Sequence, residues 1–220
     1  TTVKVALLSR FPFIYSKEVA VTQTFQYRNI LEAKFKIDNK DIYIFVNHWK
    51  SKAGPESMRV ISAKTLKRRV SEIGFDKNII LLGDFNSDYE EYIRFKRKRK
   101  HNDTNGITGI NHILGTINQR NKISYLNDMK ESFYNLWYDT DESNRYTYIY
   151  KNKKEALDSI LISQSLLLNK KDISYIQNSI TNFNKDYLFK NRYIYRWEIS
   201  NSRVPKHKGN GYSDHLAVRA

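Results

Sequence analysis

Two polar residues directly follow a short apolar strand at residues 78–82 and could carry chemistry. Asp84 and Asn86 come after Gly83, which ends the strand and turns the chain. An aspartate at the end of a buried strand can activate water or bind a hard cation, and an asparagine can donate to a phosphate oxygen. The same pair could instead form an Asx turn that caps the strand. The spacing leaves both interpretations open.

Three further segments place a histidine or an aspartate beside an apolar run. His48 follows the run at residues 42–46, and Asp158 interrupts a second apolar run. A buried carboxylate at Asp158 needs a partner, and a histidine is a natural one. Asp214 and His215 are adjacent, so on a strand they would face opposite ways and serve different tasks. A single histidine such as His48 is also common as a packed, hydrogen-bonded residue.

Strands and one helix are predicted to position these residues. Residues 30–37 and 41–47 flank a polar turn and indicate a β-hairpin, and residues 146–150 with 156–163 indicate a second one. Residues 54–74 begin with Gly-Pro, end with Gly and carry apolar residues at helical spacing, which predicts an amphipathic helix. Hairpins combined with this helix predict mixed rather than purely parallel sheets in a single domain.

The chain is strongly basic. Its 220 residues hold 38 Lys and Arg against 23 Asp and Glu, a formal net charge of +15. Such a surplus is typical of proteins that bind nucleic acid or an anionic membrane surface. A genome rich in A and T, which favours Lys, Asn, Ile and Tyr, would be a simpler cause. No apolar run is long enough to predict a membrane span, and the absence of cysteine excludes disulfides, thiol catalysis and cysteine-bound metals.

Two groups of basic side chains lie close in sequence to the candidate residues and could grip a phosphate backbone. One pair follows His48, and one run occupies residues 94–101, after the Asp84 loop. The residues that we assign to nucleic-acid binding on this basis are Lys50, Lys52, Arg97, Lys98 and Arg99. A charge run is also common as a solvated loop. The alternating tyrosines of residues 146–150 could stack on bases, although such tyrosines more often pack on a sheet face.

Together, the four segments resemble the endonuclease/exonuclease/phosphatase superfamily, which has the fold of deoxyribonuclease I. The matching elements, in the family's order, are Asn-His at 47–48, Gly-Asp-Phe-Asn at 83–86, Leu-Asp at 157–158 and Ser-Asp-His at 213–215. The resemblance covers essentially the whole chain. It implies one α/β (α+β) domain over residues 1–220, with two packed mixed β-sheets flanked by helices in a four-layer sandwich. The sequence around Asn47 and His48 is most similar to that of bacterial extracellular-type nucleases. This similarity implies a secreted or periplasmic location.

The resemblance also implies a catalytic role for each matching residue. Asp84 resembles the residue that orients and deprotonates the attacking water, and Asn86 resembles the asparagine that contacts the phosphate. His48 and His215 would flank the scissile phosphate, where an imidazolium stabilises the charge of the transition state and protonates the leaving oxygen. Asp158 matches the carboxylate that orients a histidine, here His215.

The implied reaction is hydrolysis of a phosphodiester bond assisted by a hard divalent cation. Asp214 matches a metal-binding aspartate, and Asp84 and Asn86 are expected beside the metal, which would be Mg²⁺, or else Mn²⁺ or Ca²⁺. We expect a DNA endonuclease of low sequence specificity. A phospholipid or phosphoinositide phosphodiesterase or phosphatase of the same fold is the first alternative. A basic nucleic-acid-binding remnant without catalysis is the second.

One part of the family's pattern is absent from this sequence. The family's N-terminal strands carry an asparagine and a metal-binding glutamate, and nothing before Val3 supplies them. We therefore expect that the domain lacks its N-terminal strands, that this segment is a separate chain, and that residues 1–220 alone fold poorly. An incomplete, inactive remnant is the alternative.

Overall fold

The computed structural model describes residues 4–24, 26–95, 101–117, 119, 131–170 and 173–220. Its strands are β1 (Phe13–Val19), β2 (Ile30–Ile37), β3 (Lys40–His48), β4 (Asn78–Asp84), β5 (Tyr134–Asn135), β6 (Tyr148–Tyr150), β7 (Lys153–Glu155), β8 (Asp158–Ile162), β9 (Thr181–Asn182), β10 (Phe189–Lys190), β11 (Tyr193–Ile194) and β12 (Val218–Arg219). Its α-helices are α1 (Glu56–Ile73), α2 (Glu91–Phe95) and α3 (Gln164–Leu167). A π-helical turn at Gly109–Ile113 and 3₁₀ turns at Leu136–Asp139, Glu142–Asn144 and Asp186–Leu188 complete these elements.

Six strands form the central sheet, in the order β1-β2-β3-β4-β8-β5. β3 and β4 are parallel and are connected through α1, whereas the other neighbouring pairs in this sheet are antiparallel. The first predicted hairpin is confirmed as β2 and β3, joined by a turn in which Asp38 and Asn39 adopt positive φ. The sheet is therefore mixed, as the sequence predicts.

Helix α1 covers one face of this sheet. Ala63, Leu66 and Val70 lie three and four residues apart, which places them on one side of the helix. They are buried in an apolar cluster with Phe45 of β3 and Leu81 of β4. The predicted amphipathic helix is confirmed, and its packing fixes β3 and β4 at the centre of the sheet.

A second apolar cluster contains residues that alternate along β4 and β8 with those of the first cluster. Ile80 of β4 and Ile160 of β8 pack there against the buried side chains of Trp137, Leu166 and Ile180. Because neighbouring residues of a strand point to opposite faces, the central strands contribute to both clusters. Side chains on both faces of the sheet thus hold its central strands in place.

The α+β class with several sheets is confirmed. Beside the large sheet, the described residues form three two-stranded sheets, β6-β7, β9-β12 and β10-β11. Among the helices of this part of the chain, none combines the length and the apolar character needed to cross a bilayer.

The second predicted hairpin is only partly correct. β6 pairs with β7, whereas residues 158–162 leave the hairpin and join β4 as β8. The change of direction is held by Thr147, whose hydroxyl oxygen accepts hydrogen bonds from the backbone N–H groups of Leu157 and Asp158, both at 3.1 Å. These two hydrogen bonds replace the backbone hydrogen bonds that would continue the β6–β7 hairpin. Asp158 can therefore pair with β4 in the central sheet.

Candidate active site

The ends of three neighbouring strands bring polar residues into one row. β3 and β4 are paired so that His48 lies opposite Asp84. The antiparallel strand β8 places Asp158 opposite Asp84 on the other side. Backbone pairing alone therefore sets three functional side chains at one edge of a rigid sheet.

Gly83 allows β3 and β4 to pair up to this edge. Its φ is 121°, and a Cβ atom here would collide with the backbone of Asn47, its partner on β3. Asn47 is itself buried: its amide donates to the carbonyl of Leu82 at 3.3 Å, and its side-chain oxygen accepts from the Trp49 indole at 3.0 Å. Asn47 thus secures the strand end that carries His48.

Asn86 fixes the Asp84 carboxylate. The Asn86 backbone N–H donates to Asp84 Oδ1 at 2.7 Å, and its side-chain amide donates to Asp84 Oδ2 at 3.0 Å and to the Trp49 carbonyl at 3.2 Å. The segment is therefore an Asx turn that also aims Asp84, so the two interpretations of the sequence are compatible. Because the Asn86 amide donates within the protein, its contact with a phosphate stays a prediction.

Asp84 is poised to exchange a proton near neutral pH. Burial, and then the negative charge of Asp158, raise the pKa of Asp84 to about 7, although the charge of His215 and the N–H of Asn86 act in the opposite direction. A carboxyl group with such a pKa is well matched to proton transfer at physiological pH.

The structure brings Asp158 and His215 together. His215 Nδ1 lies 2.7 Å from Asp158 Oδ2, and as an imidazolium it donates this hydrogen bond. Burial alone would lower the pKa of His215, but the hydrogen bond to Asp158 and the charges of Asp158, Asp84 and Asp214 outweigh burial and leave this pKa raised. His215 therefore keeps its proton to a higher pH than an ordinary histidine does.

His48 has the opposite electrostatic character. Its Nε2 lies 3.5 Å from Asp84 Oδ2. Burial, and then the positive charge of Arg28, lower the pKa of His48. The site thus holds one histidine that favours the cation, His215, and one that favours the neutral imidazole, which is how acid and base roles are commonly divided.

Asp84, Asp158 and His215 could together hold a divalent cation. One possible ligand atom from each lies within 4.8 Å of the others, and among the described residues the cluster comprises these three. Burial, and then the negative charge of Asp158, raise the pKa of Asp84, and a cation would relieve the repulsion between the two carboxylates. Carboxylate oxygens are ligands that suit Mg²⁺ or Mn²⁺, whereas His215 could join them only as a neutral imidazole. Asp214 lines the cavity beside His215, and its metal contact, like that of Asn86, stays a prediction.

The basic residues assigned to nucleic-acid binding differ in their surroundings. Lys52 is ion-paired with Glu91 at 2.6 Å and with Glu155 at 3.0 Å. Lys50 donates to the backbone carbonyl of Gln26 at 3.1 Å. The remaining three, Arg97, Lys98 and Arg99, lie outside the described residues. Contact between these lysines and a nucleic acid stays a prediction.

No sequence motif points to two residues that shape the site. Arg28 sets the charge next to His48 and donates to the Trp49 carbonyl at 3.4 Å. Thr147 holds the start of β8. Both act from segments far from the motifs along the chain. Tyr148, in contrast, belongs to the alternating tyrosines that the sequence pattern singles out. The centroid of its ring lies 4.9 Å from that of the His215 imidazole.

Two carboxylates and two histidines at the edge of a mixed sheet, three of them clustered to hold a cation, define a candidate metal-assisted hydrolase. Comparison with family models agrees with this class. The chain belongs to the endonuclease/exonuclease/phosphatase family, whose model matches residues 2–220. Members of this family are hydrolases that act on phosphoester bonds, generally with a divalent metal, so the resemblance inferred from the motifs is confirmed.

Solved structures share the fold at low sequence identity. A humanized D. rerio TDP2 has a TM-score of 0.52 and 16% identity, covering 95% of this chain and 66% of its own. A truncated Caenorhabditis elegans TDP2 has a TM-score of 0.51 and 13% identity, covering 94% of this chain and 64% of its own. A D. rerio TDP2 complexed with a single-strand DNA product has a TM-score of 0.50 and 15% identity, covering 95% of this chain and 67% of its own.

This chain therefore spans about two thirds of the length of those proteins, and at such identity the similarity shows the fold alone. Comparison with curated proteins gives no significant match.

Proposed function

We propose that this chain is a metal-dependent phosphodiesterase that hydrolyses DNA with low sequence preference. The observation that carries the proposal is the convergence of His48, Asp84, Asp158 and His215 at one sheet edge, in a family of phosphoester hydrolases. The net charge of +15 supports a polyanionic substrate. The D. rerio TDP2 complexed with a single-strand DNA product supports nucleic acid as that polyanion.

In this proposal, the residues divide the proton transfers. His215, kept protonated by Asp158, donates a proton to the leaving oxygen. Asp84 accepts a proton from the attacking water while Asn86 holds its carboxylate in place. His48, with its lowered pKa, is neutral and donates a hydrogen bond to a phosphate oxygen from the opposite side of Asp84.

Mg²⁺ is the cation we propose for the cluster, with Mn²⁺ or Ca²⁺ as substitutes. Asp84 and Asp158 would hold it through their carboxylate oxygens. When bound, such a cation supplies Lewis-acid stabilisation of the negative charge that develops on the phosphoryl group. A secreted or periplasmic location stays a proposal from the sequence.

A substrate panel tests the proposal. The wild-type protein is incubated with plasmid DNA, single-stranded DNA, RNA, phosphoinositide and sphingomyelin, each with Mg²⁺ and with EDTA. We expect hydrolysis of DNA that requires Mg²⁺. Hydrolysis confined to the lipids would replace DNA with a phospholipid substrate. Salt-sensitive binding of DNA without any cleavage would contradict the enzymatic proposal and favour a binding protein.

A further inference from the structure

A cavity of about 540 Å³ opens directly beside the candidate catalytic residues. Asn86, Asp214 and His215 line it, together with residues that include members of α1, α2, β6, β7 and the segment before α1. Its volume lies within the range of sites that bind small molecules. A group attached to a phosphate at His215 would therefore enter this cavity.

Aromatic rings form one wall of this cavity. Tyr148 and Tyr150 both line it, and their rings are nearly parallel, with 8° between the planes and 6.4 Å between the centroids. Alternate residues of a strand share one face, so the two rings present themselves on the same side of β6. Phe95 and Leu157 add apolar surface. This wall suits a flat, apolar-faced ring better than a hydrated sugar.

Polar groups are held at another part of the lining. The Lys52 ammonium bridges Glu91 Oε2 at 2.6 Å and Glu155 Oε1 at 3.0 Å. Glu91 is almost completely buried, so the charge of its carboxylate is met inside the protein by Lys52. An ion pair in the lining also makes the cavity unfavourable for an acyl chain.

Hydrogen bonds and an ion pair hold the part of the lining that contains Arg59. Arg59 is buried, donates to the carbonyl of Ser51 at 2.9 Å and pairs with Glu56 at 2.7 Å. Glu56 in turn accepts the backbone N–H of Gly109 at 2.9 Å. The segment that carries Lys52 is thereby fixed before any ligand enters, which reduces the entropy cost of binding.

We propose that this cavity binds the base of the nucleotide whose phosphate is attacked, stacked on Tyr150 and Tyr148. The inference rests on the proposed function, because it takes the substrate to be a nucleotide chain. It adds a base-binding pocket beside the candidate catalytic residues. Stacking on a tyrosine tolerates every base, which agrees with a low sequence preference.

Binding of 2′-deoxyadenosine 5′-monophosphate (dAMP) and of 2-deoxyribose 5-phosphate, measured by calorimetry in EDTA, tests the pocket without catalysis. The two probes share sugar and phosphate and differ in the base. We expect the wild-type protein to bind dAMP about tenfold more tightly, because stacking on one aromatic ring is of this order. Tyr150→Ala should remove most of this preference, and Tyr150→Phe, which keeps the ring, should retain it.

Tyr187→Ala is the matched control. Tyr187 and Tyr150 are both 55% exposed, but Tyr187 does not line this cavity. Circular dichroism checks that each variant is folded. Equal affinity for the two probes, an equal loss in Tyr187→Ala, or no dAMP binding up to ~10 mM would overturn the inference.

Hydrolysis of bis(4-nitrophenyl) phosphate with Mg²⁺, measured in parallel, separates the two proposals. This diester carries no nucleobase. Hydrolysis without a preference for dAMP would overturn the pocket and leave the phosphodiesterase standing. A preference for dAMP without hydrolysis of any diester would support the pocket and contradict the enzymatic proposal.

Discussion

Replacing Asp158 with Asn tests how the site holds its protons. The substitution keeps the size of the side chain and removes the charge that faces both His215 and Asp84. A hydrogen bond to a charged group contributes ~1.5–3 kcal/mol. The side chains of Asp158 and His215 are only 23% and 22% exposed, so solvent screening removes little of this contribution.

The expected effect on catalysis follows from that energy. If His215 acts as the general acid, Asp158→Asn should lower kcat/KM for a phosphodiester about 10- to 150-fold, at 1.4 kcal/mol for each factor of ten. In EDTA, the pKa of His215 should fall, because burial lowers it and the main opposing partner is gone. The pKa of Asp84 should also fall, because the neighbouring negative charge that raises it is absent.

An NMR titration of the His215 imidazole in EDTA, combined with steady-state kinetics, measures both effects. Asp214→Asn is the comparison for the titration, since Asp214 raises the His215 pKa by its charge without a hydrogen bond to the ring. Its effect on that pKa should be smaller. An unchanged His215 pKa in Asp158→Asn, or a kcat/KM within twofold of wild type, would refute the reasoning.

Three further changes test the surroundings of the site. Because burial and charge raise the Asp84 pKa from 3.8 to about 7, the folded state holds this proton more tightly than the unfolded state. The free energy of unfolding in EDTA should therefore fall as pH rises from 4 to 7, and Asp84→Asn should flatten this slope in urea titrations. Arg69→Ala removes the hydrogen bonds, at 2.6 and 2.9 Å, that Arg69 donates to the buried Glu32 carboxylate and leaves it with Tyr15 and Lys17. The free energy of unfolding in urea should fall by about 1.5–3 kcal/mol; a loss under ~0.5 kcal/mol would contradict this. Gly83→Ala should separate the ends of β3 and β4 and abolish hydrolysis. Gly106→Ala is the control: it also places a side chain at positive φ, but its Cβ meets no atom within 4 Å, so it should retain hydrolysis.

The central elements were predictable because their signals are local. Apolar alternation and a polar turn define β2 and β3, and Gly74 and the helical spacing define α1. The strand ends at His48 and Asp84 could be placed for the same reason. Their alignment in one row follows once β3 and β4 are known to be parallel.

The features that could not be predicted from the sequence depend on contacts between segments that are far apart along the chain. The separation of β8 from β6 is decided by the Thr147 hydroxyl, which any hairpin pattern would assign to the ladder. The pKa of His48 is lowered by burial and then by Arg28, and the pKa of His215 is raised by Asp158; these surroundings form only in the folded chain. Lys52 is similar, because its two glutamate partners lie 39 and 103 residues further along the chain.

Plasmid nicking is the most direct test of the central claim that this site hydrolyses phosphodiester bonds. Supercoiled DNA is incubated with the wild-type protein in Mg²⁺, with the wild-type protein in EDTA, and with His215→Ala in Mg²⁺. The account predicts nicking in the first sample and intact plasmid in the other two. Nicking by His215→Ala at the wild-type rate, or an intact plasmid in all three samples, would contradict it.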